Sequence, residues 1–192
     1  MKSLFTVSFL LLICVFVSAQ KMQRFTCNGD GKALGVKFSI EYPNNWTASD
    51  GTRPHILKVF TFDDNDTNIS FAIYVKKLDE APSKEMINQV FQKDYLMGYF
   101  KDAKLIEFSN DSKIEDLRCL NLSVYMKSKV YDQVAYSIFK NNQIYFKKYH
   151  LQFNFTVSSF DQKYETMMKM YNKYNPIFNI MMTSLALNSR WE

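Results

Sequence analysis

Lys37–Trp46, KFSIEYPNNW, is the stretch from which the fold is read. Phe38, Ile40 and Tyr42 alternate with Lys37, Ser39 and Glu41, the period-two pattern of a strand with one buried face. Pro43 fixes its own φ and offers no N–H, and Asn44 and Asn45 favour a turn, so the strand ends there. Trp46 follows at once, and its large ring is expected to fold back over the sheet.

Toward the N-terminus, Lys21–Ala33 is polar and reads as a lead-in. Met1–Ala19 before it reads as a secretory signal peptide. Lys2 gives the positive start, Leu4–Val17 is a nearly continuous apolar run, and Val17-Ser18-Ala19 is a small-residue cleavage site. The apolar run is too short for a comfortable membrane span. Cys14 raises a rival reading as a lipoprotein anchor, but Ile13 stands where such a site wants Gly, Ala or Ser. The expectation is an exported chain, periplasmic or extracellular, that begins at Gln20, forms one domain over residues 20–192 and has no integral membrane span. Export leaves Cys27 and Cys119, and an even pair in an oxidising compartment is expected to form a disulfide. The other reading is two separate thiols. No CxxC or nearby His supports a metal on them.

Toward the C-terminus, His55–Phe62 and Ile69–Leu78 read as strands joined in a hairpin by DDNDTN, Asp63–Asn68. That loop lacks the Gly and terminal Glu of an EF-hand, so it reads as a solvated turn in preference to a calcium site. Pro82-Ser83 opens a helix to about Phe100 with Ser83 as N-cap and Met86, Ile87, Val90 and Phe91 as its apolar stripe. Ala103–Phe108 is a short strand and Asn110–Glu115 a turn region. The alternation in Leu117–Tyr125 slips around Asn121, which reads as a bulge or a loosely patterned strand. Gln133–Lys140 and Ile144–Val157 flank Asn141-Asn142-Gln143, a hairpin signal. Asp161 is placed to cap a closing helix with Tyr164, Met167, Met168 and Tyr171 buried. Asn175-Pro176 interrupts and restarts that helix, and Ile177, Ile180, Met181 and Leu185 carry the apolar face on to about Leu187. The result is α+β: an antiparallel sheet flanked by helices, here covered on one side.

The chain has 192 residues, of which 47% are hydrophobic and 16% aromatic, with five Gly and four Pro, so it is long and apolar enough for a packed core. A formal charge of +5, spread along the chain, argues for solubility and against nucleic acid. Two histidines, His55 and His150, sit in no hydrolase motif, and no GxSxG, phosphate loop or dinucleotide fingerprint occurs. His150 falls on a polar strand face. Met167, Met168, Met170, Met181 and Met182 read as core filler before a copper site. Trp46, Tyr149, Phe153 and Phe155 have two readings, the lining of an apolar pocket between sheet and closing helix or part of a solid core. No cofactor is called for.

Phe38-Ser39-Ile40-Glu41-Tyr42-Pro43 with Trp46, the Tyr149–Phe155 strand, and Ile177–Leu185 with Ser184 together resemble the PsbP-like group. Its relatives include photosystem accessory proteins, Mog-type Ran-binding proteins and DcrB-like bacterial envelope proteins. The resemblance spans nearly the whole mature chain. It implies an antiparallel sheet flanked by helices and, for the most part, no enzymatic activity, and it transfers no site residue. An exported chain would not meet Ran, and nothing in the leader signals a thylakoid. The expectation is a non-catalytic protein of the bacterial envelope that binds or assists another macromolecule, with an unknown protein partner. A carrier of small apolar ligands is the alternative.

Overall fold

The computed structural model describes residues 20–130, 133–160 and 163–188. The expected leader with Cys14, the cap Asp161 and the C-terminal Trp191 lie outside the described residues. In chain order the elements are β1 (Met22–Cys27), a 3₁₀ turn (Gly31–Ala33), β2 (Phe38–Pro43), β3 (Thr47–Asp50), β4 (Ile56–Asp64) and β5 (Thr67–Lys77). Two short helices follow, α1 (Lys84–Val90) and α2 (Lys93–Met97). Then come β6 (Lys104–Ile114), β7 (Leu117–Val130), β8 (Gln133–Phe146), β9 (Tyr149–Ser159) and α3 (Tyr164–Thr183).

Strands β3 to β9 form one antiparallel sheet of seven in the order β3-β4-β5-β9-β8-β7-β6, and β1 and β2 form a separate pair. The polar lead-in is thus a strand, because β2 needs a partner for its backbone. On its other edge β2 meets the segment after α3. Ser39 and Ala186 exchange both backbone bonds at 2.9 Å. Ser184 Oγ accepts from the Glu41 N–H at 2.8 Å. The organising strand is therefore held between the first and last described segments of the chain.

Helix α3 lies on one face of the large sheet. Met167, Tyr171, Tyr174, Phe178 and Met181 recur at helical spacing and are buried. Phe178 stacks on Phe155 with centroids 5.2 Å apart and tilts against Phe71 at 5.6 Å. Pro176 does not interrupt α3, which runs unbroken through it. Ile180, expected on the apolar face, is 52% exposed, and Phe178 and Met182 take that role. A polar clamp reinforces the docking. Lys140, 3% exposed on β8, donates to Asn175 Oδ1 at 2.9 Å and Asn179 Oδ1 at 3.3 Å, one helical turn apart. Burial pulls the Lys140 pKa below the lysine range, opposed by Glu107 at 3.8 Å. At the helix's other flank, Asp64 accepts from Lys173 Nζ at 2.6 Å and from the Tyr174 hydroxyl at 2.8 Å. The DDNDTN turn therefore spends that carboxylate on α3.

The opposite face is covered as well, which corrects the one-sided expectation. The helix expected from Ser83 to Phe100 divides into α1 and α2 around Phe91 and Gln92, and the break turns Phe91 fully into a second apolar cluster. Ser83 caps α1 as expected, its Oγ accepting from the Met86 N–H at 3.1 Å. Leu96, Leu120, Leu122 and Val124 complete the cluster. The slip in β7 is now explained. Leu120, Leu122 and Val124 face α1 and α2, while Cys119 and Tyr125 face α3, so both parities are buried. The irregularities fall in its partner β6, between Leu105 and Glu107 and between Ser109 and Ser112.

Candidate functional site

Asn141-Asn142-Gln143 is not a turn. β8 runs straight through it, and the reversal falls at Lys147-Lys148, where Phe146 pairs with Tyr149 and Lys147 takes φ 51°. The correction moves side chains between faces. A single strand over 144–157 would put Tyr145 on one face with Tyr149 and Phe153, whereas here it pairs with His150 on the α1–α2 side. Asn141, Gln143, Tyr145, His150 and Gln152 thereby converge on one patch of β8 and β9.

The patch is a connected polar network. Asn141 donates to Asn154 Oδ1, and Gln143 donates to Asn141 Oδ1. Gln143 Oε1 lies 2.9 Å from His150 Nε2, and Gln152 Nε2 lies 3.4 Å from the same nitrogen. One nitrogen cannot both donate and accept in the neutral ring, so the shorter contact, with Nε2–H donating to Gln143, is the better bond. The imidazole stacks on Tyr145 with centroids 4.4 Å apart and planes 12° from parallel. Burial, with the Lys76 ammonium nearby, depresses the His150 pKa from 6.5 to about 4, so the ring is neutral at pH 7.

Between this patch and α1–α2 opens a cleft of about 410 Å³. Val90, Leu96, Phe100 and Phe139 make its apolar part. Tyr95 and Tyr99 stand on the rim, one helical turn apart and 42% and 69% exposed, with the Tyr99 hydroxyl donating to Tyr95 at 2.9 Å. Lys76 is the only charged side chain among the lining residues, and no carboxylate, thiol or aliphatic hydroxyl lines the cleft. The neutral imidazole stands among tyrosine hydroxyls, side-chain amides and the Lys76 ammonium. What the cleft offers is rings, amide donors and amide acceptors.

The residues expected to line a pocket lie elsewhere. Phe153 and Phe155 are fully buried on the α3 side among Phe71, Tyr171 and Phe178. Trp46 folds back as expected and stacks on Phe62 with centroids 6.3 Å apart. Tyr149 is buried at the edge of the same core and donates to Leu34 O at 3.2 Å. Phe155 meets Tyr171 and Phe178 of α3 directly. The expected disulfide does not form. Cys27 and Cys119 are both free and buried, in different sheets, with Cys27 Sγ bonded to Val36 O and Cys119 Sγ to Leu120 O. His55 is exposed at the start of β4 and takes no part in the cleft. Met167, Met181 and Met182 are packed in the core. Among the described residues no three His, Cys, Asp or Glu come together as a metal site, and no helix is long and apolar enough to cross a membrane.

The cleft was missed in the sequence because its amides mimic a turn and its tyrosines lie in a helix read as continuous. The usable signal was Tyr95 and Tyr99 at i and i+4, off the apolar stripe.

A seven-stranded antiparallel sheet with a small accessory pair and a long C-terminal helix packed across it defines the Mog1/PsbP-like class of α+β fold. Among solved structures, the chain is similar to the Ran-binding protein Mog1p of Saccharomyces cerevisiae, with TM-score 0.52 and 9% identity over 88% of this chain and 96% of that one. It also matches LpqN, involved in cell envelope biogenesis of Mycobacterium tuberculosis, with TM-score 0.47 and 13% identity over 91% of this chain and 96% of that one. A third match is a protein from Bacteroides thetaiotaomicron, with TM-score 0.47 and 16% identity, covering 88% of this chain and 50% of that one. No protein-family model matches the chain, nor does any curated protein sequence. The likeness to Mog1p establishes the fold alone.

Proposed function

We propose that this chain is an exported, non-catalytic binding or accessory module of a bacterial envelope, and that its α1–α2 cleft grips an uncharged segment of a partner polypeptide. The observation that carries the reading is the cleft's chemistry. Gln152, with the amide hydrogens and lone pairs that Asn141 and Gln143 do not spend on their own network, presents the donor and acceptor of a peptide bond beside tyrosine rings, with no carboxylate, thiol or aliphatic hydroxyl among the lining residues. Exposed aromatics on a rim are what a recognition face needs. Export rests on the leader-like pattern of residues 1–19.

The test is capture from the envelope of the chain's own host, comparing the wild type with a Tyr95→Ala/Tyr99→Ala variant. A polypeptide should co-purify with the wild type and drop at least tenfold with the variant. Equal recovery from both, or none from either, would sink the reading. An activity that disappears in His150→Ala would also overturn it, by making the protein an enzyme.

A further inference from the structure

Beyond the cleft just described, the α3 side of the sheet opens where α3 begins. Lys104 on β6 is directly opposite Tyr125 on β7, and Lys127 on β7 is directly opposite Tyr136 on β8. Lys163 and Tyr164, at the start of α3, close the space, which measures about 680 Å³. The rings are locked together. Tyr125 meets Tyr164 edge to face at 4.9 Å and stacks on Tyr136 at 6.3 Å. Lys104 Nζ lies 3.7 Å above the Tyr164 ring, and Lys127 Nζ lies 5.4 Å from the Tyr136 centroid.

Three other surface cations each meet a carboxylate: Lys58 with Asp50, Lys173 with Asp64, Arg24 with Glu41. Lys104, Lys127 and Lys163 make no such pair among the described residues. Asp102 is the only carboxylate among the lining residues. Three lysines against Asp102, with the Glu165 carboxylate close enough to act on Tyr125, leave a formal surplus of one positive charge around one concavity, where walls of low dielectric focus the field. Cation–π contacts hold two of the ammoniums in place without neutralising them.

We infer that this concavity is a second binding site, for the phosphate monoester of a sugar. A phosphate monoester carries close to two negative charges at neutral pH, and the ammoniums of Lys104, Lys127 and Lys163 are the groups around the concavity that would meet them. The tyrosine hydroxyls and ring edges are suited to a polar ring bearing that phosphate, and the volume falls in the range of small-molecule sites.

Calorimetric titration of the protein expressed in its own host, with glucose 6-phosphate, inorganic phosphate and glucose as probes, tests the inference. Glucose 6-phosphate should bind, free phosphate at least fivefold more weakly, and glucose not measurably. Lys127→Gln/Lys163→Gln removes both charges while keeping half of each alkyl stem and a polar end, and should weaken glucose 6-phosphate at least tenfold without moving the melting temperature. Raised salt should weaken it further. No binding of either phosphate, equal binding of glucose, equal binding of free phosphate, or an unaffected double variant would each overturn the proposal. The Tyr95/Tyr99 variant should bind glucose 6-phosphate normally, which separates this site from the α1–α2 cleft.

Discussion

The two faces of the seven-stranded sheet are covered in different ways. On one, a single 20-residue helix seals a layer of phenylalanines, with Phe153, Phe71, Phe178 and Phe155 linked ring to ring in that order and fully buried. On the other, two helices of seven and five residues seal a smaller apolar cluster and stop short of the amides on β8 and β9. The long cover can bury a continuous stripe, whereas short helices cannot span the sheet. The difference assigns stability to one face and leaves a cleft on the other.

The largest effect that would break this division is truncation under the long helix. Phe178→Ala removes a ring that touches Phe71, Phe155 and the Lys140 ammonium, and should cost about 3–5 kcal/mol in urea denaturation. Tyr99→Ala on the other cover should stay within about 0.5 kcal/mol, because most of that side chain is in water. Comparable losses at the two positions would mean that the outer cover is as much a part of the core as α3.

His150 sharpens the comparison through pH. Its pKa is 6.5 in the unfolded chain and about 4 in the fold. Between those values the unfolded chain holds more protons, so stability rises with pH. The contribution is complete above pH 6.5 and is lost as pH falls toward 4, where folding must bury a charged ring. Part of the ring stays within reach of solvent, so the loss should be about 2 kcal/mol. His150→Gln keeps a hydrogen-bonding side chain and should remove that part of the slope. Wild type and variant with parallel stability curves from pH 4 to 7 would show the imidazole to be freely solvated.

The same two faces explain what the sequence made legible. Phe38, Ile40 and Tyr42 announced β2 because Pro43 and two asparagines mark its end and one parity is apolar. The α3 stripe was legible for the same reason, since its apolar residues keep one period. Pro176 was read as a break, yet packing on both sides holds the helix together across it. β1 was hidden because its sequence, MQRFTC, shows no clear alternation, and only β2's need for a partner makes it a strand. The cleft is illegible because Asn141, buried, and Gln143, half-buried, are polar residues mid-strand, and composition alone assigns such residues to turns. Their hydrogen bonds to Asn154 and His150 are made across strands, and no local pattern reports them.

The smallest expected effect is no effect at all, and it concerns the two cysteines. Cys27 lies in the small sheet and Cys119 in the large one, each with its Sγ against a backbone carbonyl of its own neighbourhood. Burial raises both thiol pKa values, that of Cys119 to about 11, so about one in ten thousand Cys119 side chains is a thiolate at pH 7. Oxidation needs the thiolate, which burial disfavours at both sites. Both thiols should therefore resist a thiol reagent in the native protein and react once urea unfolds it, and a reductant should leave the melting temperature unchanged. A structural disulfide would behave oppositely: its reduction would cost about 2–5 kcal/mol and shift the melting temperature by several degrees. Such a shift would mean that the small sheet is tied covalently to the large one, in addition to the bonds of β2 with Ser184 and Ala186.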